Sequence, residues 1–169
     1  AAALLREARR AYDFEVLQPD FVELPPGTDV LMIVHPPPLS EWQQYLIDQF
    51  LMHKGTALIA LDPAARAAAV QRGGQAPTSS TLGRVEQTLG VSLAPDVVAD
   101  RTMALPVNVD AGGGRVAQVA QPLFIAPPPS RMSRSDVVTA DLSRPINFGS
   151  AGHLVFAERP GVTFEPLIE

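Results

Sequence analysis

Asp29 to Pro63 reads DVLMIVHPPPLSEWQQYLIDQFLMHKGTALIALDP, a strand, a helix and a strand with their boundary signals in place. Val30 to Val34 is a short, unbroken apolar run, the pattern of a strand covered on both faces. Pro36, Pro37 and Pro38 end it, because a proline run has no N–H groups to give to a ladder. Ser40 stands where a helix N-cap belongs, and Gln43, three residues on, completes a capping-box pattern. Trp42, Leu46 and Phe50 recur at helical spacing, with Tyr45, Ile47 and Leu51 widening the apolar face, so Trp42 is expected in the core. Lys54 falls in the last turn and Gly55 is expected to terminate the helix. Residues 57–61 form a second buried-type strand, closed by Asp62 and Pro63. Two such strands joined through a helix imply a parallel pair with a right-handed crossover.

Working outward, residues 2–10 carry a helical pattern that ends near Tyr12, and residues 14–17 alternate like a short strand before Pro19. A loop through Pro25, Pro26 and Gly27 leads into the central unit. After it, residues 64–70 predict one or two helical turns capped by Asp62. The segment RGGQAPTSS, residues 72–80, reads as an exposed linker. A helix carrying Leu82, Val85 and Leu89 follows and stops at Gly90. Beyond Pro95 the pattern turns to β: strands at 97–98, around Val107 and Val109, around Val116 and Val119, and at 123–126. Residues 135–142 predict a helical turn or two, and 146–148, 153–157 and 162–168 read as late strands.

Composition bounds the function. A chain of 169 residues with 46% apolar and 18% charged residues is globular and large enough for a proper core. Thirteen basic residues against 18 acidic ones leave a net charge of −5, and the arginines are scattered. That argues against nucleic acid or an anionic membrane surface as partner. Without cysteine there are no disulfides, thiolate metal sites or thiol nucleophiles. Seventeen prolines imply long, stiffened connections. No run approaches the 18 apolar residues of a spanning helix.

The proline-bearing turn, the "LS" that opens the helix, "IDQFLMHKG" and the strand ending in "LDP" resemble the auxiliary domain of GldG-type ABC transport proteins, the gliding-motility-associated components of bacterial ABC systems. "QTLGVSLAPDVVAD" (87–100), "SDVVTADLSRPINFGSAGHLVFAE" (135–158) and "GVTFEPLIE" (161–169) resemble later segments of that family, in family order. The resemblance implies a periplasmic auxiliary domain that partners the membrane and ATPase subunits of a transporter. It also implies that this chain is a soluble piece of a longer, membrane-anchored protein. The fold it implies is flavodoxin-like or glutamine-amidotransferase-like, though fold alone does not carry function.

Each chemical signal has a plain structural reading beside it. Gly112 to Gly114 follows no buried strand and opens no helix, so a hairpin is expected rather than a phosphate cradle. His35, His53 and His153 have no metal spacing, and no metal or cofactor is expected. The nearest approach to G-x-S-x-G is Gly149-Ser150-Ala151-Gly152, with its serine one place early. His35 and Asp62 end the two central strands at one edge, where open α/β sheets place ligand groups. Arg131 and Arg134 lie in a loop stiffened by Pro127, Pro128 and Pro129, and can pair with carboxylates of a partner.

The expected architecture is therefore one α/β domain over residues 1–169, a mostly parallel central sheet with flanking helices in three layers, and a β-rich C-terminal half. The expected function is a non-catalytic, extracytoplasmic auxiliary component of an ABC-type system. Two alternatives stand beside it: a small-ligand domain for a glycan or peptide, and a cryptic hydrolase using His35 and Asp62.

Overall fold

The computed structural model describes residues 2–71, 73–74, 76 and 78–169. Strand β1 (Val30–Val34) pairs in parallel with β2 (Thr56–Ala60), in register from Val30 opposite Thr56 to Val34 opposite Ala60. Helix α2 (Glu41–Met52) joins them. Its capping box is complete: Gln43 N–H donates to Ser40 Oγ at 3.2 Å, and Ser40 N–H donates to Gln43 Oε1 at 2.9 Å. At its far end Lys54, not Gly55, takes the left-handed conformation, with φ 64°.

The face that α2 buries is turned from the expected one. Ile47 is 2% exposed and Gln43 5%, whereas Trp42 is 53% exposed. Gln43 tolerates burial because its amide is satisfied: Oε1 serves the cap, and Nε2 donates to the carbonyls of Pro19 (2.9 Å) and Phe21 (3.3 Å). That ties the 19–21 loop over the helix and displaces the indole to the rim. There Trp42 Nε1 donates to Val22 O at 2.7 Å and the ring stacks on Tyr45, 5.2 Å between centroids. The core closes with Leu31 and Ile33 of β1 against Ile47, Leu82 and Val85, the last from helix α4 (Arg84–Leu89). Helix α1 (Ala2–Ala11) precedes the core elements, and α3 (Arg66–Gln71) follows β2. Gln44 links α2 to α4, donating to Leu39 O at 2.9 Å and accepting Arg84 N–H at 2.9 Å.

The second half is antiparallel. Strand β3 (Val91–Leu93) pairs with β7 (Leu154–Phe156). Strands β4 (Ala104–Asp110), β5 (Val116–Ile125) and β6 (Phe148–Gly149) form a three-stranded sheet in that order. The Asp110 to Gly114 segment is a hairpin connection, with Asp110 opposite Val116. The register slips between Ala104 and Leu105, which face Ile125 and Gln121. Pro122 lies in that gap: it has no N–H to donate, but its carbonyl accepts Asp100 N–H at 3.0 Å. The C-terminal tail is pinned by a bridge between Met132 and Ile168.

The expected fold class is corrected here. There is no mostly parallel central sheet and no flavodoxin-like three-layer sandwich: among the described residues the sheets have two, two and three strands, and β1–β2 is the parallel pair. Residues 14–17 form no strand; Leu17 packs on the core from an irregular segment, so nothing there extends the pair. One face of the pair is covered and the other is open, with Val30 56%, Val34 54% and Leu58 57% exposed. An all-apolar run predicts burial on both sides, but a helix layer covers only one. Residues 97–98 form no ladder, 162–168 contribute the single Ile168 bridge to Met132, and 123–125 continue β5. Residues 135–142 make a single turn, with Ala140 N–H donating to Asp136 O at 2.8 Å. The expected linker at 72–80 falls partly outside the described residues; Ser80, at its end, is 3% exposed rather than open. The accessible surface, 12117 Å², is about half again the roughly 8,000 Å² usual for a folded 18.0 kDa monomer.

Candidate functional site

The carboxyl edge of β1 and β2 builds a cleft. His35 N–H donates to Ala60 O at 2.8 Å, carrying the parallel ladder one residue past β1. At His35 the chain then turns with φ 42°, on the left-handed side that non-glycine residues seldom adopt. The imidazole Nδ1 is buried and has no hydrogen-bond partner among the described residues. On the other strand Ser80 fixes Asp62: its Oγ accepts Asp62 N–H at 2.7 Å, and its N–H donates to Asp62 O at 3.0 Å. Asp62 Oδ1 accepts Ala64 N–H at 2.8 Å. Since α3 begins only at Arg66, this is a local Asx turn after β2 rather than the expected helix cap.

The third wall comes from far along the chain. Ser150 follows β6 with φ 55° and is 4% exposed, and its N–H donates to Leu123 O at 2.8 Å. A side chain at Gly152 would collide with Pro63 and Leu93, so the glycine lets this loop close down on the end of β2. Together His35, Asp62, Phe148 and Ser150 face a cleft of about 330 Å³. His35 and Asp62, expected from the sequence at one edge, both line this cleft. Motif spacing gives Ser150 no role; its legible signal is the small-residue run Gly149 to Gly152, which permits a close approach. No hydrogen bond links His35, Asp62 and Ser150 among the described residues.

Arg131 and Arg134 stand elsewhere. Arg134 Nη1 donates to Ala140 O (2.6 Å) and Leu142 O (3.2 Å), and Nη2 to Pro129 O (3.3 Å). Its charge holds the shape of its own loop. Arg131 ends a one-turn 3-10 helix (Pro129–Arg131), and its carbonyl accepts Glu169 N–H at 3.0 Å. Asp100 has a displaced titration. The Thr102 hydroxyl, with the N–H groups of Met103 and Thr102, holds its carboxyl below its ordinary range, and Arg131 adds a smaller pull the same way.

A broader hollow of about 570 Å³ lies at the C-terminal end of α2, and Glu23, Asp29, His53 and Lys54 are among the residues that line it. His53 Nδ1 is 2.7 Å from Gln49 O. No group of three or more His, Cys, Asp or Glu residues is placed to hold a metal among the described residues. No helix among them is long and apolar enough to cross a membrane.

Comparison with curated proteins and with solved structures returns no match. The family comparison does: the model described as an ABC-type uncharacterized transport system matches residues 1–169. The chain belongs to that family, the auxiliary components of ABC-type transport systems.

Proposed function

We propose that this chain is a non-catalytic, extracytoplasmic, GldG-like auxiliary component that works by presenting surface to the membrane and ATPase subunits of its transporter. The observation that carries the non-catalytic part is His35. In a Ser–His–Asp arrangement the ring Nδ1 donates to the carboxylate and the other nitrogen meets the serine. Here Nδ1 is buried without a partner among the described residues, and Asp62 is committed through Oδ1 to its own turn. Histidine, carboxylate and serine share a cleft, but they do not form a relay.

The surface itself supports the second part. An open apolar sheet face, a half-exposed Trp42–Tyr45 stack and a surface area well above the monomer norm are what a partner can cover. The test is co-purification of the chain with the permease and ATPase of its own transport system, in wild-type form and as Leu58→Glu with Trp42→Ala. Retention by the wild type and loss in the double variant is the expected result; equal retention moves the interface to another face. Turnover of ester or amide substrates by the purified chain, abolished by His35→Asn, overturns the non-catalytic reading. A reporter enzyme active only outside the cytoplasm, fused after Glu169, tests the location.

A further inference from the structure

We propose that the cleft between His35, Asp62 and Ser150 binds a small primary amine attached to an apolar body, such as the free amino terminus of a short peptide. The proposal is independent of the docking surface above. Both charge and shape point to it. Asp62 is the charged carboxylate of the lining, and no Lys or Arg lines the cleft among the described residues. Asp62 Oδ1 is held by Ala64 N–H, and Oδ2 has no partner among the described residues. Ser80, 3% exposed, clamps the backbone of Asp62 on both its N–H and its carbonyl, so the carboxylate is presented from a fixed strand end. An unpaired carboxylate oxygen in a lining without lysine or arginine selects a cationic donor: N⁺–H···O⁻ bonds are about twice as strong as neutral ones. An anion, by contrast, meets no lysine or arginine there among the described residues, and the Nδ1 of His35 is buried.

The rest of the wall is apolar, from Val34, Leu61, Pro63 and Phe148. At about 330 Å³ the cleft sits at the small end of ligand pockets, which suits a body of one or two residues. His35 and Ser150 are the other residues of the lining with polar side chains. Their left-handed backbones, φ 42° and 55°, account for two of the three non-glycine residues with positive φ among the described residues. Conformational strain held in place on both sides of one cleft is the pattern of a ligand clamp.

The test uses the whole chain, labelled with ¹⁵N, and reads amide shifts during titration. L-leucinamide and leucyl-glycyl-glycine carry the free amine; N-acetyl-leucinamide has the same body without it; glucose is a neutral hydroxyl control. The expected result is saturable shifts at His35, Asp62 and Ser150 with the free amines and none with the acetylated compound or glucose. A tripeptide that binds more tightly than leucinamide identifies a peptide terminus, and the reverse order a free amine. Asp62→Asn keeps the acceptor for Ala64 N–H and removes the charge, and it should weaken binding by about ten-fold or more. If that variant fails to fold, the acetylation arm on the unaltered chain still decides. Equal binding of the acetylated compound, binding of glucose alone, or no shift at these residues up to millimolar ligand overturns the proposal.

Discussion

The parallel unit β1–α2–β2 and the antiparallel half from β3 onward are held together by different physics. In the first, Leu31, Ile33, Ile47, Leu82 and Val85 form one buried cluster, and burial of apolar surface supplies most of the stabilisation. In the second, Ile125 and Met132 are the buried large apolar residues, while Val116 and Val119 of the hairpin are 71% and 50% exposed. That half relies on ladders, side-chain-to-backbone turns and proline stiffening instead. A burial-driven region should punish truncation of its side chains. A region organised by turns should be sensitive to backbone geometry and to the charge state of the turn residues.

The sharpest contrast is Ile47→Ala against Val119→Ala. Ile47 is 2% exposed, so its truncation should cost about 2–5 kcal/mol, read as a shift in the urea midpoint. Val119→Ala should fall within about 0.5 kcal/mol, as for a surface change. If the two costs are equal, the core is not confined to the parallel unit.

Gly90 joins the two regions. It ends α4 at φ 67°, its carbonyl accepts Ala157 N–H at 2.7 Å, and a β-carbon there would overlap the Ala157 carbonyl. Gly90→Ala should destabilise by about 2–3 kcal/mol through left-handed strain and that collision. Hydrogen exchange should show the β3–β7 pair opening before the core; uniform loss of protection would mean one cooperative unit and dissolve the comparison.

Trp42 tests the rim of the parallel unit. Trp42→Ala removes one hydrogen bond to Val22 O and a stack on Tyr45, both half in solvent, so about 1 kcal/mol is expected by the same denaturation. A cost like that of Ile47→Ala would put the indole back in the core, as the helical spacing alone suggests.

That spacing shows how far the sequence is legible. Caps and turns are local, so Ser40 with Gln43, the stop at Gly90 and the Asp110 to Gly114 hairpin can all be read from neighbouring residues. The parallel pairing of β1 with β2 is legible because a capped helix separates two short apolar runs. What covers each face is not, since it depends on residues distant in the chain: Gln43 is buried because Pro19 and Phe21 offer it carbonyls. The same holds at the cleft. Topology alone places His35 and Asp62 on one edge, but Ser150 arrives from a distant part of the chain through a loop whose closeness depends on Gly152.

The smallest effect expected is electrostatic and belongs to the antiparallel half. Asp100 Oδ1 accepts Thr102 Oγ (2.6 Å), Thr102 N–H (2.6 Å) and Met103 N–H (3.0 Å), and these bonds set the turn that enters β4. They favour the ionised carboxyl, so its folded-state titration lies below the ordinary 3.8. A depressed carboxylate stabilises the fold fully above the unfolded value, and its contribution is lost as pH falls through the folded one. The hairpin sheet should therefore loosen below about pH 4. Asp100→Asn should flatten this step in the amide shifts of Thr102 and Met103, with little change at pH 7, because the amide oxygen still accepts the same donors more weakly. The exposed position keeps the effect small, and added salt should leave it largely intact, since hydrogen bonds rather than the distant Arg131 charge dominate the shift. An acid step that survives Asp100→Asn, or one that vanishes in salt, would assign the sensitivity to long-range charge instead of to the turn.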